Sequence, residues 1–274
     1  MELWKKLKRE IDLQFYLRSG RRPWSRGYGE YRQREIERIL DHGLFRTDRL
    51  PRGYGLRLDE RVIEYPWLLS RLPAGEGLLL DAGSVLNHRF LLERNPLRDK
   101  RMFISTLAPE PLSFTTLSVS YVYEDLRASC FRSDYFDRIV SLSTLEHIGM
   151  DNTFLYTADE SKRENAPSSY LDAIRELRRI LKDGGHLYIS VPFGEAKNYG
   201  WFQIFNAPML DALIKEFAPL SYEESHFRYL PDGWLVSTRE QSAGATYFDI
   251  HKTKAYDPDY AAASRAVVCL DLIK

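Results

Sequence analysis

Two cysteines, Cys130 and Cys269, are all that 274 residues contain. There is no CxxC pair and no group of histidines at metal-ligand spacing, so the sequence offers neither a disulfide framework nor a metal site. No apolar run reaches transmembrane length. Met1 to Gly20 lacks the uninterrupted apolar centre and small-residue cleavage site of a signal peptide, so the expected location is the cytoplasm. There is no net charge either: 39 Lys and Arg balance 39 Asp and Glu. A zero balance removes any global electrostatic argument for nucleic acid as a partner. Repeats and low-complexity stretches are absent.

What charge there is lies unevenly. Residues 1–57 hold 15 Lys and Arg against 8 Asp and Glu, a net +7, which leaves −7 for residues 58–274. A basic leading arm suits an anionic ligand, an acidic membrane surface or the acidic body of its own chain. Residues 3–18 place Leu3, Trp4, Leu7, Ile11, Leu13 and Phe15 among Lys5, Lys6, Lys8 and Arg9. This is the pattern of a basic amphipathic helix, fit for a membrane surface, its own domain or a second subunit. Ser19 to Gly29 reads as a loop and Tyr31 to Leu40 as a helix. Pro66 suits the first turn of a helix over Trp67 to Leu72. Residues 1–75 thus read as a basic helical cap on a main domain of residues 76–274.

That domain opens at Gly77-Leu-Leu-Leu-Asp-Ala-Gly-Ser-Val-Leu-Asn-His88. Leu78 to Leu80 is a short apolar run, as in a strand buried on both faces. Asp81, Gly83 and Ser84 break it, and Phe90-Leu91-Leu92 suits a helix. Further strands are expected at 102–107, 118–124, 136–142 and 186–191, with a helix over Ser168 to Lys182 closed by Gly184-Gly185. Asn206 is placed to cap a helix from Ala207 to Phe217. Late strands at 221–229 and 266–273 form an antiparallel pair. Strands alternating with helices, then a hairpin-like end, predict an α/β fold. It is a doubly wound, mostly parallel, seven-stranded Rossmann-like sheet with helices on both faces and an antiparallel strand at one edge.

Three polar stretches fall at the carboxyl ends of successive strands: Asp81 to Ser84, Glu124 to Arg127, and Ser143 to Gly149. Parallel strands deliver such ends to one crevice. Leu79-Leu-Asp-Ala-Gly83, Glu124-Asp-Leu-Arg127, Tyr135-Phe-Asp-Arg-Ile-Val140, Ser143-Thr-Leu-Glu-His147 and Leu177-Arg-Arg-Ile-Leu-Lys-Asp-Gly-Gly-His-Leu187 occur in that order. In this order and spacing the chain resembles the class I S-adenosylmethionine-dependent methyltransferases over residues 76–193. The resemblance implies that Asp81, Ala82, Gly83 and Ser84 hold the amino-acid end of S-adenosylmethionine. It implies that Asp125 and Leu126 meet the adenine, and that Ser143 and Thr144 line the methionine part. Two departures stand out. Val85 and Asn87 occupy positions where that family carries further glycines, which crowds the cofactor or widens the loop. The second strand ends Ser105-Thr-Leu-Ala-Pro109 without the family's acid for the ribose hydroxyls. Glu110 is the nearest acid, and Asn87, His88 and Thr106 are the available substitutes.

An oxygen acceptor must lose a proton as it takes a methyl group, and a histidine is suited to remove it. His147 leaves the strand nearest the expected methyl and is the candidate base. Substrate-loop insertions are expected near 193–206 and 229–248. Their aromatic and amide residues, among them Glu195, Asn198, Trp201 and Trp234, suit a glycan or other small polar acceptor. Asp249 and His251 share a strand face for geometric reasons alone. Three functions follow: methyl transfer to a small polar acceptor, a non-catalytic binding protein with a decayed cofactor loop, and a peripheral membrane enzyme on a lipid-linked substrate.

Overall fold

The computed structural model describes residues 2–157, 159–249 and 253–274. Its centre is the apolar run noted above. Leu78–Ala82 forms β1, buried beyond its first residue. Around it stand β2 (Arg101–Thr106), β3 (Val119–Tyr123), β4 (Phe136–Leu142) and β5 (Leu181–Pro192). β1 pairs in parallel with β2 and β4, β2 with β3, and β4 with β5. The order β3-β2-β1-β4-β5 brings five carboxyl ends to one edge, which is where such sheets hold ligands. A two-residue pair, β6 (Lys197–Asn198) and β7 (Gln203–Ile204), makes a small antiparallel hairpin after β5. The late strands are β8 (Ser221–Leu230), β9 (Gly233–Ser237) and β10 (Ala266–Ile273). β10 lies between β5 and β8. Backbone bonds from Leu220 to Ile273 and from Tyr229 to Arg265 run β8 antiparallel to β10. The expected mixed α/β sheet with an antiparallel edge is therefore present, but with eight strands rather than seven, because β9 adds a hairpin partner to β8.

The chain divides into two compact units, residues 1–70 with 226–267 and residues 71–225 with 268–274. This division differs from a 1–75 cap on a 76–274 domain, because residues 226–267 group with the N-terminal segment. The larger unit holds the parallel strands with α4 (Arg89–Leu92), α5 (Thr153–Tyr156), α6 (Tyr170–Ile180) and α7 (Ala207–Phe217). α6 turns Tyr170, Ala173, Ile174, Leu177 and Ile180 inward, where they join Leu187, Ile189 and Val191 of β5. The isoleucine, leucine and valine side chains among them contribute about 1.5–3 kcal/mol each when fully buried. Asn206 caps α7 as expected, its side chain accepting from the Met209 N–H at 3.1 Å. Gly184 and Gly185, expected past the end of α6, lie instead inside β5. The helix stops at Ile180 and the strand begins at once. The register slips between Leu181 and His186, and a Cβ on Gly185 would stand 2.8 Å from the Lys182 carbonyl. The glycines thus serve a bulge rather than a helix stop.

The smaller unit contains α1 (Glu2–Arg18), α2 (Tyr28–Asp41), the start of α3 (Arg61–Arg71), the β8–β9 hairpin and α8 (Arg239–Ser242). α3 begins five residues before Pro66, so the expectation of a helix started by that proline is corrected. Proline has no N–H, so the Val62 carbonyl one turn earlier loses its helical donor. The Tyr54 hydroxyl takes that place, donating to the Val62 carbonyl at 2.7 Å. The helix tolerates its proline because a side chain repairs the missing bond.

Candidate functional site at the carboxyl edge of the parallel sheet

Asp81 is the penultimate residue of β1 and is fully buried. Its carboxylate accepts from the Val85 N–H at 3.3 Å and the Leu86 N–H at 2.7 Å. The acid therefore folds its own loop. Gly83 has φ 124°, and a Cβ there would stand 2.1 Å from Thr144 Oγ1 and 2.6 Å from Thr144 Cγ2. The glycine lets the loop after β1 meet the loop after β4. Ser84 follows in a left-handed conformation, φ 64°. Its hydroxyl oxygen is buried with no hydrogen-bond partner among the described residues. The N–H groups of Val85 and Leu86 thus turn this loop back onto Asp81.

Asn87 ties this loop to the stretch after β2. Its amide donates to Glu110 at 2.8 Å and to the Leu112 carbonyl at 3.2 Å, and its oxygen accepts from the Tyr121 hydroxyl at 2.9 Å. Glu110 thus reaches the cluster despite its late position. Tyr156, from α5, joins it: its hydroxyl bonds to Thr106, and burial with the nearby Glu110 charge raises its pKa. At the end of β3, Glu124 accepts from Ser105, Ser129 and the Cys130 N–H. Asp125 accepts from the Arg127 N–H at 2.9 Å and from the Arg127 guanidinium at 2.6–3.0 Å. Burial pushes the Asp125 carboxyl up, but these Arg127 contacts outweigh it and hold it below its usual range. Arg127 also grips Glu164 through two bonds at 2.6 and 2.7 Å. Three N–H groups of Arg127 thus hold the Asp125 carboxylate, the Nε–H shared between its two oxygens. Leu126 is half-buried beside it, packed on the core.

Beyond β4, the Ser143 N–H donates to the Ser190 carbonyl at 2.9 Å, and Thr144 donates to the Leu142 carbonyl at 2.9 Å. The short turn Leu145–His147 follows. His147 Nδ1 lies 2.9 Å from the Trp201 carbonyl oxygen. A carbonyl only accepts, so Nδ1 carries the proton and the neutral ring keeps its lone pair on Nε2. Trp201 comes from the β6–β7 hairpin. Its ring lies 5.0 Å from the His147 ring and meets Phe154 edge-on at 5.6 Å. Phe202 lies 6.0 Å from His147 and stacks on Tyr199 at 4.6 Å. The Asp151 N–H donates to the Gly200 carbonyl at 3.0 Å, pinning the hairpin to the segment after β4.

Of the candidate residues, Asp81, Ala82, Gly83, Ser84, Asp125, Leu126, Ser143, Thr144, His147 and Trp201 belong to this unit at or near the strand ends. Glu195 and Asn198 are exposed on the approach to the hairpin, and Asn198 accepts from the Gly200 N–H at 2.7 Å. Trp234 is a correction. It lies in β9 of the other unit, 3% exposed, with its indole N–H donating to the Leu58 carbonyl at 2.9 Å. A tryptophan so buried and satisfied is core, and its strand is no substrate loop. His251 lies outside the described residues. Sequence reasoning quoted Arg127 in the Glu124 to Arg127 motif but gave it no role, and it missed Tyr156 and Glu164, which depend on how the segment after β4 folds back.

No known family profile matches the chain, and no curated protein matches it. Solved structures of similar fold do exist. One is the 1,6-didemethyltoxoflavin-N1-methyltransferase of Burkholderia thailandensis, solved with 1,6-didemethyltoxoflavin and S-adenosylhomocysteine. It is 15% identical, with 77% of each chain covered and a TM-score of 0.46. Another is a Thermotoga maritima S-adenosylmethionine-dependent methyltransferase described as a possible histamine N-methyltransferase. It is 15% identical over 88% of this chain and 99% of that one, with a TM-score of 0.46. A third is the [4+2]-cyclase SpnF, 15% identical over 76% and 80%, with a TM-score of 0.41.

Proposed function

We propose that the carboxyl edge of β1 to β4 binds S-adenosylmethionine and that the chain methylates a small polar acceptor, a glycan or biosynthetic intermediate, beside His147. The bound cofactor supplies a methyl group on a positively charged sulfur, which needs only an aligned nucleophile in a dry site. Ser84 fits the amino-acid end, because its buried hydroxyl lacks a partner among the described residues. Ser143 and Thr144 line the methionine part. Glu110, Asn87, Thr106 and Tyr156 take the ribose side. Leu126 and the backbone beside Asp125 take the adenine, while the Asp125 carboxylate, held by Arg127, sets the loop. Asp81 acts through the Val85 and Leu86 amides.

The observation that carries the reading is the bond between His147 Nδ1 and the Trp201 carbonyl. It fixes the tautomer in which Nε2 accepts the proton leaving an acceptor hydroxyl, and the carbonyl then stabilises the charged ring. Trp201, Phe154, Tyr199 and Phe202 give flat apolar faces, and Glu195 and Asn198 offer polar groups to a polyol.

Calorimetry with S-adenosylhomocysteine tests the cofactor. Saturable heat, lost in Gly83→Ala, supports it; no heat at millimolar ligand overturns it. Transfer of label from methyl-labelled cofactor into a small-molecule extract tests the reaction. One observation favours a second reading, a binding protein without turnover: the Asp81 and Asp125 carboxylates both accept bonds from their own loops. Binding without any labelled product supports that reading.

A further inference from the structure

α1 is built with its apolar face outward. Leu13 and Tyr16 pack inward, 4% and 0% exposed, while Trp4, Leu7, Ile11 and Phe15 are 71%, 56%, 49% and 48% exposed. The four exposed residues are spaced by three, four and four, which places them within an arc of about 80° on the helix. Lys8 stands at the edge of this arc and Arg18 at its end, both exposed. Two acids of the helix are engaged nearby: Asp12 pairs with Arg26 at 2.6 Å, and Glu10 accepts from Gln14 at 3.0 Å. Lys5, Lys6 and Arg9 fall by helical spacing about 120–160° from the centre of the stripe, within a segment of net +7 over residues 1–57. A soluble surface does not ordinarily line up one tryptophan and three other large apolar side chains.

We propose that α1 lies flat on an anionic lipid surface, with Trp4, Leu7, Ile11 and Phe15 entering the headgroup boundary and Lys8 and Arg18 meeting lipid phosphates. Tryptophan favours that boundary, and cations beside an apolar stripe are drawn to acidic lipid. A second copy on the same stripe would bring like-charged flanks together, whereas an acidic membrane neutralises them. The stripe belongs to α1 alone, so the inference does not rest on the proposed methyl transfer.

The full chain is tested by co-sedimentation with vesicles of phosphatidylcholine alone and of phosphatidylcholine with phosphatidylglycerol. The comparison variant is Leu7→Gln with Ile11→Gln, two exposed positions whose change leaves Leu13 and Tyr16 in place. Circular dichroism checks that its fold is kept. The proposal expects binding to the acidic vesicles only, weakened at least about tenfold in the variant and falling steeply with added salt. Absence of binding by the unmodified chain, or equal binding by the variant, overturns it. So does a stripe that serves a dimer instead, seen by light scattering as a dimer that the variant dissociates without any change on vesicles.

Discussion

Gly83 and Thr144 make one decision between them. The glycine has no side chain because the threonine fills its space, and its φ of 124° suits no other residue well. Gly83→Ala is expected to cost about 1–3 kcal/mol in a denaturant titration. Thr144→Gly should recover part of that loss, and a double-mutant cycle measures the coupling. His147 makes a different kind of contribution, to chemistry. Under the proposed reaction His147→Ala slows turnover by about 100-fold or more and leaves the affinity for S-adenosylhomocysteine unchanged; an unaltered rate removes it from the mechanism.

α3 carries two features that residue types alone leave unexplained. Its proline is repaired by Tyr54, so Tyr54→Phe should cost about 1–3 kcal/mol through the buried Val62 carbonyl left without a donor. In a Pro66→Ala background, where the helix supplies its own N–H, the same change should cost less. Urea titration of the four proteins checks both. The N-terminus of the same helix gathers Asp59, Glu60 and Glu64. Burial, with the charges of Asp59 and Glu64, pushes the Glu60 carboxyl up to about 8 from 4.5. The folded chain keeps a proton that the unfolded chain has released over that interval, so stability falls as pH rises from 4.5 toward 8. Glu60→Gln should flatten this slope in thermal melts taken across the range.

For the whole molecule, the two thiols report on folding. Cys130 is exposed and Cys269 buried, and neither is in a disulfide. Titration with an aromatic disulfide should detect one thiol in the native protein and both in denaturant. Cys130 should react more slowly than a free cysteine, because its hydrogen bond with Glu124, with burial and the Glu124 charge behind it, raises its pKa. A fast second thiol without denaturant would mean that β10, which carries Cys269, opens readily. The charge split of +7 and −7 between the two parts of the sequence cancels in the net but not locally. It concentrates cations in the segment that bears the exposed stripe of α1.

The strands were legible because their evidence is local. Leu78 to Leu80 is an apolar run bounded by glycine and aspartate, and Leu187 to Val191 is a mostly apolar stretch stopped by Pro192; a strand buried on both faces requires little else. Asn206 announced its helix for the same reason, since a cap depends on the next three residues. Asp81, Gly83, Ser143 and His147 were legible as strand-end residues because parallel strands finish at one edge. The partners of these residues were decided only by tertiary structure. Thr144 against Gly83, Glu110 under Asn87, Arg127 on Asp125 and the Trp201 carbonyl on His147 are contacts of folded loops, and no periodicity encodes them. Trp234 shows the limit most plainly. An aromatic between glycines reads alike in a binding loop and in a core strand, and only burial with a satisfied indole N–H separates the two.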